Sequence, residues 1–575
     1  RVLTEGGHLE EHGDGDSTAL PSTLRGLLSA RLDTVSPGAR ATAQLASVLG
    51  REFRMNQLRA ASTDATMVRE DLRELSDAGL VFPRRTAVTE TWVFKHALVR
   101  DAAYEVMTRP VARRLHLRVA TVLRDAFPDV ARDRPDLLAQ HFERGGDLPT
   151  AVDYWTLAGE RSMGQAAYAE SIRLLEHGLA LLPRVPTSRR RTEQELALTQ
   201  SLATALLLTR GFTAPEVVES FARALALLDE LGEDVPFPVL SGLWNMNIAR
   251  SDRDACAKLL TKFERLAERS DDDVIQFTMH GTAGVHAFYS GDFAAARDAL
   301  VRAADCYQTD GFRSFVRKYG YDAGINALAV HQWALWMLGY PERARARCDE
   351  MLQIADAMSN PAGLASALAF AANSARDRGH VERVLELTER SLALATEQKL
   401  HFWLGPAHAG KGWALLQTGR IDEGVASLEQ ALAIYDMIGV RATYAYHASA
   451  LIEGHLLRRA PEPGLALARR LLEQASTQVD TFWCGEIRRL EGELLRLEGD
   501  VEGAEAAFCE ALRTARRQDA RSLELRAATS TARLLRDRGD GKGARAVLAP
   551  ALDWFTEGHD TRDLRVAGAL LAELA

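Results

Sequence analysis

The chain has 575 residues, too many for one hydrophobic core, so it needs several domains or a repeat array. Hydrophobic residues make up 47% and charged residues 26%, which excludes a disordered or collagen-like chain. The net charge of −9 is mild and gives no electrostatic footprint for wrapping nucleic acid.

Leucine, alanine and arginine dominate, and β-branched and aromatic residues are sparse, which favours helix over sheet. The five cysteines, Cys256, Cys306, Cys348, Cys484 and Cys509, are odd in number and widely spaced, without a CxxC pair. That argues against a disulfide framework or a zinc site and for a reducing, cytoplasmic setting. No apolar run reaches membrane-spanning length and no signal peptide opens the chain, so no membrane contact is expected. The first residue is Arg1 and the pattern starts abruptly, so the chain reads as a fragment of something longer.

Residues 1–20 are rich in glycine and acidic residues and lack periodicity. Asp14-Gly15-Asp16-Ser17 lacks the spaced ligands and terminal glutamate of a calcium loop, so this stretch reads as a solvated loop or short edge strand. Pro21 suits a first helical position, and Leu24, Leu27, Leu28 and Leu32 mark one face of the helix that follows. Ser36-Pro37 opens a second helix closed by Gly50; a third starts near Met55; a fourth runs from Asp64 to Ala78, capped by Gly79. Two strand-like runs, Leu80–Phe82 and Thr91–Phe94, flank a polar turn. Three helices and a β-hairpin give the winged-helix order, which defines a module over residues 21–125. Its candidate recognition helix carries Glu70, Asp71, Glu74 and Asp77 against Arg69 and Arg73. Phosphates would be repelled there, so packing is a better use for it than DNA binding.

From residue 126 to 575 the chain is repetitive. Gly339, Gly379, Gly419, Gly499 and Gly539 recur at 40-residue steps, with Arg459 in the missing place. Small residues keep step: Ala344, Gly424, Gly464, Ala504 and Ala544 follow the turns, and Ala372, Gly412, Gly492 and Ala532 precede them. Small residues on both helices of a pair let the helices approach closely. The expectation is a mainly α, TPR-like solenoid of about 40-residue repeats, whose stacking forms the core and leaves a concave groove for a protein or small-molecule signal.

The sequence Gly405-Pro406-Ala407-His408-Ala409-Gly410-Lys411-Gly412 matches GxxxxGK, but Gly412 stands where Ser or Thr should reach a magnesium ion. The repeat register also places it in a helix, whose backbone N–H groups cannot cradle a phosphate. No HExxH, GxSxG or kinase signature occurs, so no catalytic residue and no metal ligand is assigned. His141, His280, His286 and His331 read as groove or core histidines. Trp244, Trp333, Trp336, Trp403, Trp413 and Trp483 read as packing residues, and Trp403 and Trp483 share one register position.

Several segments resemble bacterial STAND-type signalling ATPases. Pro21–Leu24 followed by Ala30-Arg31-Leu32-Asp33 looks like the exit from their ATPase core, and Val48–Phe53 resembles their next element. Phe94-Lys95-His96-Ala97-Leu98-Val99-Arg100-Asp101 is similar to the helix after the wing, Arg113–His116 to its continuation, and Gly211–Val217 to a segment of their repeat regions. The nearest subgroup joins a class III adenylate or guanylate cyclase, or a Ser/Thr kinase, to an ATPase and a TPR tail. LuxR-type ATP-dependent transcriptional activators share the order but end in a DNA-binding module, so the alternative reading is the TPR region of such an activator lacking its DNA-binding end. The resemblance implies that residues 1–20 end an upstream ATPase domain or linker, that ATP or ADP and magnesium bind upstream, and that this chain is no enzyme by itself. It further implies a sensor and relay region that controls an upstream ATPase domain of the same chain and a cyclase or kinase output. Within the relay module it singles out His96 as a contact to the bound nucleotide.

Overall fold

A computed structural model describes residues 30–85, 90–211, 213–307, 323–358, 360–475 and 481–574. The expected loop over residues 1–20 and the start of the first helix, with Pro21, Leu24, Leu27 and Leu28, lie outside them; Ala30–Asp33 is helical. The chain divides into two compact units: residues 1–158 with 181–186, and residues 159–180 with 187–575. The sequence reading places its change of architecture at 125/126. The helix Arg109–Ala126 packs against Pro135–Gly145, which keeps both in the first unit.

In the first unit, the helix Pro37–Leu49 starts where Ser36 accepts a hydrogen bond from the Ala39 N–H, with Pro37 at its first position. Helices Met55–Ala61 and Val68–Asp77 follow. The latter starts four residues after the expected Asp64, because Asp64 caps a turn and accepts from the Thr66 N–H at 3.0 Å. A three-stranded antiparallel sheet replaces the expected two-stranded hairpin. Strands β1 (Glu52–Arg54), β2 (Val81–Arg85) and β3 (Glu90–Phe94) lie in the order β1-β3-β2, with Phe53 opposite Trp92. Two of the acidic groups of Val68–Asp77 tie it to the helix Pro37–Leu49 and its cap. Buried Asp71 accepts from the Thr42 hydroxyl at 2.5 Å, and Glu74 takes both the N–H and the hydroxyl of Ser36 at 2.6 Å.

In the second unit, helices pair as antiparallel hairpins and stack. From Ala323–Met337 and Pro341–Ala357 to Arg521–Asp537 and Gly541–Asp553, the first helix of each pair also packs on the first helix of the next, giving an inner layer. Gly339, Gly379, Gly419, Gly499 and Gly539 lie at the turns with φ between +80° and +89°, where a side chain is strained. Arg459 takes the same region at +56° without that freedom. Gly412 and Gly424 face each other closely: a Cβ on either would come within 2.8 Å of the other's carbonyl oxygen.

Segments of this unit nearly 190 residues apart touch. The Arg441 N–H donates to the Ala249 carbonyl at 2.7 Å, the Thr481 N–H to Tyr289 at 3.0 Å, and the Ser522 hydroxyl to Trp336 at 2.5 Å. Glu557 caps the helix Pro341–Ala357 by accepting from the N–H groups of Glu342 and Arg343. The inner layer therefore curls until later hairpins meet earlier ones, and its interior is filled. The helix Ala323–Met337 is buried all round, the pattern of a helix with no solvent face.

Candidate functional site

Trp333 is the hub of that interior. It is fully buried and stacks on Phe288 with ring centroids 5.5 Å apart, and it meets Tyr446 at 4.8 Å, Phe482 at 5.5 Å and Phe370 at 5.7 Å. Its indole N–H donates to Asp377 Oδ2 at 2.7 Å, and the Tyr446 hydroxyl donates to Asp377 Oδ1 at 3.0 Å. Burial pushes the Asp377 carboxyl above its ordinary range, with Arg526 and Arg376 opposing. Two clefts adjoin this wall of aromatic rings, one lined by its Phe370 and the other by Asp377.

The first cleft is a cavity of about 120 Å³ walled by inner helices and by the short turn His401–Trp403. Its apolar lining includes Val285, Ala369, Phe370, Phe402, Trp403 and Tyr435. A space of this size and lining suits a benzene-sized molecule or one bulky side chain. Polar groups enter at a few points: Asn326, Asn373, Thr443 and His447. His447 is buried and stacks on Tyr435 at 5.5 Å. Burial, helped by Arg376, pulls its pKa down to about 3, so a neutral imidazole faces the cleft at neutral pH. The arrangement can hold an apolar group and fix its orientation with hydrogen bonds. Among the described residues no group of three or more metal-ligating side chains occurs.

The P-loop look-alike lies in the α-helix Leu404–Gln417, with Gly410 and Gly412 buried against neighbouring helices. Its Pro406 lines the first cleft. Trp403 lines the same cleft, whereas Trp483, its partner in register, is 1% exposed and packs on Tyr446 at 4.8 Å. The shared register therefore serves two ends, packing at one turn and cleft lining at the other. His331 is buried and drawn down to about pKa 4, chiefly by desolvation, while His280 is half-buried beside Arg302. Among the described residues no helix is long and apolar enough to cross a membrane.

In the first unit, His96 caps the start of the helix Ala97–Glu105 with extended backbone and makes no side-chain cap hydrogen bond; its ring is exposed. There His141, read from the sequence as a groove or core histidine, joins the buried His116 and the half-buried Tyr104 in a chain that the sequence reading did not foresee. The Tyr104 hydroxyl lies 2.8 Å from His116 Nε2, and His116 Nδ1 lies 2.9 Å from His141 Nδ1. His141 Nε2 has no partner among the described residues. The tautomer with the proton on His141 Nδ1 leaves only a lone pair unmatched there, rather than an N–H. Desolvation lowers His116 to about 4 and His141 to about 3, so both stay neutral at pH 7.

No family model matches the chain. A protein of Rhizobium meliloti (strain 1021), described as uncharacterized, is 23% identical over 497 residues, covering 84% of this chain and 47% of its own length. The chain thus spans about half the length of the curated relative it matches. Among solved structures, a Rap protein complexed with competence and sporulation factor is similar at TM-score 0.42 and 13% identity, over 66% of this chain and 98% of that one. The APC/C hetero-tetramer Cut9-Hcn1 is similar at 0.46 and 11%, over 83% and 92%. A Signal Transduction ATPase with Numerous Domains (STAND) protein with a tetratricopeptide repeat sensor, from Pyrococcus horikoshii, is similar at 0.29 and 12%, over 98% and 68%. Scores of this size leave the architecture resting on the helix pairing of this chain: a mainly α protein whose second unit is a TPR-like stack of helical hairpins.

Proposed function

We propose that this chain is the sensor and relay region of a larger cytoplasmic STAND-type signalling ATPase. In this reading the first unit is a winged helix that relays, and the second is a solenoid of about 40-residue repeats that senses. ATP or ADP and magnesium are bound by an upstream ATPase domain, which governs a cyclase or kinase output. The observation that carries the sensing role is the first cleft. It is an apolar cavity at the inner layer of a repeat stack, with a few placed polar groups and no catalytic constellation. Its occupant is an apolar small molecule or a bulky side chain of a partner protein. Because its walls come from hairpins far apart in sequence, an occupant that fits one curvature better than another shifts the balance between them.

The relay role falls on His96, which stands exposed at a helix start, where an imidazole N–H can donate to a phosphate oxygen. The test is ADP dissociation from the longer protein that carries this chain. His96→Ala is expected to speed ADP release several-fold with an unchanged melting temperature, since the ring makes no cap hydrogen bond. A lowered melting temperature with unchanged ADP release would remove His96 from the switch.

A further inference from the structure

The second cleft, lined by Asp377, is larger at about 360 Å³ and has opposite chemistry. Six arginines and five carboxylates line it. The carboxylates have partners. Glu486 takes two N–H groups of Arg489 at 2.7 and 2.9 Å and lies 3.6 Å from Arg526. Asp563 accepts from Arg526 Nε at 2.6 Å. Glu493 is shared by Arg489, Arg496 and the Ser530 hydroxyl, which donates to it at 2.7 Å. Glu453 accepts from Gln417 at 2.9 Å, and Asp377 is held by Trp333 and Tyr446.

Three arginines are left over. Arg376 donates to the Tyr446 carbonyl at 3.1 Å and the Ser449 hydroxyl at 2.9 Å, with no carboxylate in ion-pair contact among the described residues. Arg562, at the rim, donates to the Gln417 side-chain amide oxygen at 2.8 Å. Arg533 is half-buried and has neither a hydrogen bond nor an ion pair among the described residues. Burial disfavours its charge; Glu493 supports it, and Arg489, Arg496 and Arg536 oppose it.

We propose that this cleft is a binding site for a small-molecule oxyanion, a polycarboxylate or a phosphate, held by Arg533 at its centre with Arg376 and Arg562 beside it. A half-buried guanidinium without a counter-ion, in a cavity whose own carboxylates are already engaged, is a free fork of donors. An entering oxyanion supplies the missing charge without breaking the existing pairs. Leu456, Leu457 and Leu490 give the remainder of the ligand an apolar surface. The site is separate from the first cleft and stands or falls apart from the sensor reading above.

The experiment is isothermal titration of the whole chain with citrate and, separately, with inorganic phosphate, at constant ionic strength set by sodium chloride. Saturable one-site binding is expected for at least one of them, weakened tenfold or more by Arg533→Gln and less by Arg562→Gln. Citrate binding alone identifies a carboxylate ligand, and phosphate binding alone a phosphate ligand. Melting curves of both variants confirm that they are folded; Arg533→Gln removes repulsion from Arg489 and Arg496 and should not lower stability. No saturable binding of either anion, or equal affinity in folded Arg533→Gln, overturns the site.

Discussion

The two units bury polar groups in opposite ways. The first holds Tyr104, His116 and His141 as a neutral chain of hydrogen bonds. The second holds Asp377, Glu486, Arg489 and Arg526 as a charged network under an aromatic wall. A neutral pair needs only that both rings stay unprotonated. A charged network needs every member, because removing one leaves another buried and unpaired. The histidine pair should therefore respond to pH and the charged network to deletion of single side chains.

The largest expected effect is at Trp333. Replacing it with alanine removes a fully buried ring and strips Asp377 of one donor, so Trp333→Ala should cost about 3–5 kcal/mol. Calorimetry of the second unit's transition measures this; a loss under about 1 kcal/mol would mean that the wall is not a packed core.

Acid should act first on the buried histidines, His116 and His141 in the first unit and His331 and His447 in the second. His116 and His141 titrate at about 4 and about 3 when folded, below the roughly 6.5 of an unfolded histidine. The unfolded chain then binds more protons, so stability is complete above pH 6.5 and declines as pH falls towards those values, by about 2 kcal/mol for each ring at pH 5. Glu486 is disfavoured by burial, yet Arg489 and Arg526 bring its pKa below the usual carboxylate range. Its contribution persists down to about pH 4.5 and is lost only as pH falls further. Asp377, raised by burial, has the reverse dependence. Hydrogen exchange at pH 7 and pH 5, corrected for intrinsic rates, should show the helix Arg109–Ala126 loosening while Cys484–Glu498, which carries Glu486 and Arg489, holds. Equal loosening of both would erase the contrast.

Parts of this were legible in the sequence because they are local. A glycine ends a helix through its own φ, and the facing small residues Gly412 and Gly424 report a close approach within one hairpin. The helix Leu404–Gln417 could be told from a phosphate loop by register. Other features had no local signal. Strand β1 buries Phe53 between the exposed residues Glu52 and Arg54, too short a run for periodicity to speak. His116 and His141 are 25 residues apart and meet only because two helices pack. Arg376-Asp377-Arg378, beside a glycine turn, reads as a solvated helix end, yet Asp377 is 4% exposed. What buries it is contact between hairpins far apart along the chain, which one repeat's sequence does not encode. Both clefts arise from that same closure.

The central claim is that the first cleft takes an apolar guest. The direct measurement is calorimetric titration of the chain with benzene as a neutral probe, in the wild type and in Ala369→Leu, which places a larger side chain in the cleft wall. The account predicts saturable one-site binding to the wild type. It predicts a loss of tenfold or more in Ala369→Leu, with melting curves showing that the variant is folded. A wild type that binds no probe, or a folded variant that binds it equally well, would contradict it.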